Sequence, residues 1–172
     1  HTITDAVNGA NSVTTADVDG DGDMDVLSAS YSDDKIAWYE NDGSESFTEH
    51  AISTVANGAF SVRTVDMDGD GDIDVLSASR EDDKIAWYEN DGSENFTEHT
   101  ISTAADGARS VATVDVDGDG DIDVLSASEH DNKIAWYEND GSQVFTEHAI
   151  DTNASHAASV ITADVDNDGY ID

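Results

Sequence analysis

Apolar and polar residues alternate with a period of two in short stretches along the whole chain, the period of strands rather than helices. One unit shows the pattern most clearly. Ser61 to Val65, Asp74 to Ser79, Lys84 to Glu89 and Phe96 to Ser102 predict four strands, called A, B, C and D in order. Turn residues separate them. Asn90-Asp91-Gly92 predicts a hairpin between C and D, because Asn and Gly tolerate positive φ, and Asp82-Asp83 predicts a tight turn between B and C.

The pattern recurs every 49 residues. His1, His50, His99 and His148 align, as do Val13, Val62, Val111 and Val160, and Trp38, Trp87 and Trp136. The chain therefore divides into units 1–49, 50–98 and 99–147 and a half unit 148–172, three and a half repeats. Four short antiparallel strands per unit of this length predict an all-β fold of β-propeller blades. A solenoid uses a shorter unit, and a sandwich does not repeat its sequence so closely.

Charge narrows the picture. Forty Asp and Glu stand against six Lys and Arg, a net charge of −34 over 172 residues. Such an excess belongs either to a disordered acidic chain or to a protein that holds cations. Nineteen of the forty acids sit in four short clusters between strand-forming segments, which selects the second reading. Six fixed cations cannot form a nucleic-acid surface, so no nucleic-acid partner is expected. No membrane insertion is expected either, since no apolar run spans a bilayer. Cys and Pro are absent, so turns must be stiffened by Gly, Asn, Asp and bound ions. A start at His1 rather than Met predicts a piece of something longer.

The clusters lie between strands A and B. The first is Asp17, Asp19, Asp21, Asp23 and Asp25 at alternate positions of a nine-residue loop, with Gly20 and Gly22 between them. The second and third are Asp66, Asp68, Asp70, Asp72 and Asp74, and Asp115, Asp117, Asp119, Asp121 and Asp123. The fourth is Asp164, Asp166, Asp168, Tyr170 and Asp172. Five carboxylates in nine residues repel one another unless a cation sits among them. Ca²⁺ suits the arrangement, since it takes six to eight oxygens in flexible geometry, whereas Mg²⁺ demands a stricter octahedron and transition metals prefer imidazole or thiolate. Positions 1, 3 and 5 converge when the chain curls, and Gly at position 6 permits the turn. Position 7 is Asp in three copies and Tyr170 in the fourth, so its backbone carbonyl is the expected ligand there; Asp at position 9 is the expected closing ligand. An EF-hand is excluded, because position 12 is Ser28, Ser77 or Ser126 instead of Glu and the flanks are strands.

The segment running from Gly58 through this loop to Ser79 resembles the FG-GAP and VCBS-type repeats of integrin alpha-chain propellers and of many secreted proteins. The resemblance covers the whole chain. It implies a seven-bladed propeller with one Ca²⁺ per loop, and an extracellular location. One chain supplies about half of such a ring, so the rest must come from a longer chain or from self-association.

In an antiparallel blade the A–B and C–D turns share one face, and the B–C and D–A connections the other. The equivalent residues that differ most between copies are Asn11, Phe60, Arg109 and Ala158, and Tyr31-Ser32, Arg80-Glu81 and Glu129-His130. They fall on the face opposite the metal loops, which is the expected surface for a protein or glycan partner. The Trp residues are expected between blades, and the recurrent His at ordinary strand positions. Asn95-Phe96-Thr97 and Asn153-Ala154-Ser155 are possible N-glycosylation sites. The expected function is a secreted structural or adhesion module braced by Ca²⁺; the alternative is a lectin-like propeller with one glycan pocket per blade. No nucleophile stands at usable spacing from a base, so an enzyme is not expected.

Overall fold

Each alternating stretch becomes a strand in a computed structural model, which describes residues 1–166 and residue 171. The first sheet holds β1 (Ala10–Ala16), β2 (Asp25–Ser30), β3 (Lys35–Asn41) and β4 (Phe47–Ser53). The second holds β5 (Ala59–Val65), β6 (Asp74–Ser79), β7 (Lys84–Asn90) and β8 (Phe96–Ser102), and the third β9 (Ala108–Val114), β10 (Asp123–Ser128), β11 (Lys133–Asn139) and β12 (Phe145–Asp151). Neighbours in sequence are neighbours in each sheet, and every pair is antiparallel. The only other regular element among the described residues is a 3₁₀ turn at Tyr31–Asp33.

The repeats are four-stranded blades, packed face to face. Strand B is buried along its full length in the second and third blades, because both of its faces are covered. Val62, Val75, Ala86 and Tyr88 on one face of the middle sheet pack against Leu27, Ala29, Ile36 and Trp38 of the first. Leu76, Ala78, Ile85 and Trp87 on the other face pack against Ala108, Val111, Val124, Ala135 and Tyr137 of the third. The alternation of period two thus feeds two separate inter-blade cores, with Trp38 and Trp87 buried in them.

Two strand boundaries differ from the sequence expectation. Strand A begins at Ala59 rather than Ser61, because Ala59 pairs with Ser79 and Ser61 with Ala78, leaving Phe60 as an extra bulged residue that interrupts the alternation. Strand C extends to Asn90, so the C–D connection is the longer loop 91–95, closed by Asp91 N donating to the Asn95 carbonyl.

The half unit continues the pattern, and its described residues form no further sheet. After β12, Ala157 is buried, and Val160 N donates to Ser110 Oγ at 3.2 Å. The equivalent contact between the first two blades joins Val62 N to Ser12 Oγ at 3.3 Å. Residues 157–163 therefore take the place of a fourth strand A beside β9.

Candidate metal centre

Each acidic loop leaves strand A, curls and enters strand B, and its own carboxylates cap its backbone. In the second copy the position 1 side chain, Asp66, accepts from Gly69 N at 2.8 Å and Gly71 N at 3.1 Å. Asp68 accepts from Asp70 N, and Asp70 from Asp72 N. The third copy repeats this pattern with Asp115, Asp117 and Asp119. In the first, Asp17, Asp19 and Asp21 accept from Gly22, Asp21 and Asp23. The curl requires positive φ at positions 4 and 6, for example +78° at Gly69 and +98° at Gly71. Glycine at position 4 thus serves the curl of the backbone, not the gathering of ligands.

This curl gathers one oxygen from each of three carboxylates to within 4.8 Å of the others. The groups are Asp17, Asp19 and Asp25; Asp66, Asp68 and Asp70; and Asp115, Asp117 and Asp123. Oxygens on opposite sides of one Ca²⁺ stand up to about 5 Å apart at its usual bond lengths, so each group fits around a single ion. The donor set is oxygen only, the chemistry of a hard cation.

Position 9 has a second job. Asp74 is fully buried; its Oδ2 accepts from Met67 N at 2.9 Å and its Oδ1 from Asn90 N at 2.8 Å. Asp25 and Asp123 repeat both contacts, with Val18 and Asn41 and with Val116 and Asn139. One carboxylate thus ties the acidic loop to the end of strand C. Burial pushes the Asp74 carboxyl up to about 6 against the pull of its two N–H donors, and neighbouring Asp68 and Asp70 push the same way. Burial also raises Asp25 and Asp68.

Position 7 turns elsewhere. The Asp72 carboxylate lies against Gly92 of the C–D loop, where a Cβ would come within 2.5 Å of Oδ2; Asp121 faces Gly141 and Asp23 faces Gly43 in the same way. These three side chains stand outside the gathered groups, and so do the expected ligands Asp21, Asp74 and Asp119. In the fourth loop Asp164 and Asp166 are exposed, and Asp168, Tyr170 and Asp172 lie outside the described residues.

The model of the FG-GAP-like repeat family matches residues 17–77, 66–126 and 115–172, each match opening at position 1 of an acidic loop. The chain belongs to the FG-GAP-like repeat family. No curated protein matches it. FG-GAP-like repeats form a structural and interaction module, and no helix among the described residues is long and apolar enough to cross a membrane.

The other face of these FG-GAP-like blades is clamped by carboxylates that accept from backbone N–H groups. Asp34 and Asp83 in the B–C turns accept from Gly58 N and Gly107 N in the next D–A connection, at 2.8 and 2.9 Å. Around these clamps the residues that vary between copies converge: Asn11, Tyr31, Phe60, Arg80, Arg109 and Glu129 line one cleft of about 330 Å³. Because the six differ from copy to copy, the cleft occurs once and is not repeated from blade to blade.

The histidines make more specific contacts than ordinary strand positions. His50, His99 and His148 stack on Trp38, Trp87 and Trp136 with centroids 4.6, 4.6 and 4.7 Å apart. Each also bonds a strand C carboxylate, as His99 Nε2 does with Glu89 at 2.7 Å. Strand register carries the pairing, since Trp87 lies directly opposite His99. Both glycosylation candidates, Asn95 and Asn153, are exposed.

Proposed function

We propose that the chain is a secreted, calcium-braced interaction module. The observation that carries this reading is the gathering of carboxylate oxygens to within 4.8 Å in three successive loops. Ca²⁺ would bind side chains of positions 1, 3 and 5, the position 7 carbonyl and the position 9 carboxylate. Its charge would quench the repulsion within the loop, and position 9 would carry that stabilisation to strand C. Extracellular modules of this kind bind at about 10⁻⁴ to 10⁻³ M, so the loops would fill outside cells and stay largely empty in cytosol. Adhesion or docking would then fall to the face opposite the metal loops. If the source glycosylates secreted proteins, Asn95 and Asn153 are accessible acceptors.

The test is thermal unfolding in EDTA and at millimolar Ca²⁺. Calcium binds the native loops and not the unfolded chain, so it raises the melting temperature in proportion to the logarithm of its concentration. An unchanged melt would sink the proposal.

A further inference from the structure

Each inner strand carries one residue more than the strand opposite it. Asn11 in β1, Phe60 in β5 and Arg109 in β9 occupy these bulges, at equivalent positions of the repeat. A bulge re-aims a side chain out of the strand's alternation. Here it brings three chemically different side chains to the cleft shared with Tyr31, Arg80 and Glu129. The bulge is common to all three blades, whereas the residue placed in it is not.

The charges in the cleft are unevenly matched. Arg80 donates through Nε and Nη2 to Glu129 Oε2 at 3.3 and 3.2 Å, and through Nη1 to Glu81 at 2.7 Å. Glu81 also accepts from the Tyr31 hydroxyl at 2.5 Å. Arg109 lies over the Phe60 ring, 4.8 Å from its centroid, and reaches the same Glu129 oxygen at 3.3 Å. Its Nε is buried without an acceptor. Two guanidinium groups therefore draw on one Glu129 oxygen, and Arg109 has no carboxylate of its own. The Asn11 amide, also on the cleft, makes no hydrogen bond among the described residues.

We propose that this cleft is a single recognition site for the carboxylate of an acidic peptide, with Arg109 and Asn11 as the contacting donors. The proposal rests on the reading of the face opposite the metal loops as the docking face. The one carboxylate lining the cleft, Glu129, is held by both arginines through Oε2, against two guanidinium groups and an amide, so donors outnumber it, and a planar guanidinium suits a carboxylate best. Arg and Tyr are also the residues that anchor protein interfaces. A peptide fits better than a sugar, because Arg109 covers one face of the Phe60 ring, which would otherwise stack a sugar, and Tyr31 packs against that ring at 89° with centroids 6.3 Å apart. Calcium in the metal loops would lessen the long-range repulsion that a chain of charge −34 exerts on an acidic ligand.

The test is fluorescence polarisation at millimolar Ca²⁺ with a labelled, end-capped hexapeptide of Gly and Ser carrying one Glu, and the same peptide carrying Gln. The Glu peptide binds saturably, and the Gln peptide about tenfold more weakly. Arg109→Gln loses about tenfold in affinity. Glu129→Gln gains by a similar factor, since it frees both guanidinium groups, an outcome that a merely structural role would not produce. Arg63→Gln, outside the cleft, changes nothing. Equal binding of the two peptides, undiminished binding by Arg109→Gln, or binding of a tetragalacturonate in place of the peptide would overturn the proposal. Melting curves on the same samples separate the two readings. Calcium-raised melting without peptide discrimination overturns the cleft alone; discrimination without any calcium effect overturns the calcium reading alone.

Discussion

A carboxylate with both oxygens occupied by backbone donors is a different object from a ligand on a flexible loop. Asp74 is such a group, and its protonation makes the metal-free protein sensitive to pH. Its folded pKa of about 6 lies above the ordinary carboxylate value of 3.8. The folded state therefore holds the proton more tightly than the unfolded state, and stability falls as pH rises from about 4 through about 6. In EDTA, urea midpoints should decline across that window, and millimolar Ca²⁺ should flatten the decline. Asp74→Asn, which can accept only one of the two N–H bonds, should cost about 1–3 kcal/mol in the same measurement even without metal. The spacing of two made the acidic residues legible from the sequence as a loop that could hold a metal. The division of labour between positions 7 and 9 was not legible, because Asp74 owes its role to Asn90 and Asp72 its orientation to Gly92, partners on other elements.

At the level of the element, turns carry more of the specification than strands do. Gly92 has φ +71° and stands where a Cβ would strike Asp72, whereas Gly69 has φ +78° with nothing within 4 Å. Alanine at Gly69 should cost the backbone strain alone, about 1–3 kcal/mol. Alanine at Gly92 should cost visibly more, because the Asp72 carboxylate must also move. Denaturation of both variants in EDTA checks the order; equal losses would mean that the C–D loop gives way freely. Strands B, C and D could be read from their alternation nearly to the residue. Strand A was legible only from Ser61 onward, two residues short of its start at Ala59, because the bulge at Phe60 breaks the period that reveals a strand. The residues of the cleft were visible as variable positions, yet their convergence depends on inner strands of successive blades lying side by side, which no local pattern encodes.

Across the whole molecule, stability is shared between neighbouring blades rather than held in one core. Trp87 lies at the interface between two complete sheets, and Trp87→Ala should cost about 3–5 kcal/mol. Trp136 is only half-buried, and Trp136→Ala should cost less. Urea midpoints at fixed calcium decide the comparison.

The serine joint between inner strands has a bearing on how such a chain can change its length. Val62 N meets Ser12 Oγ, and Val160 N meets Ser110 Oγ at the equivalent place two units later. The same small contact thus serves at more than one seam, and a duplicated unit would find its joint already supplied. Copying one stretch of 49 residues is then enough to add a blade, with no new surface to invent.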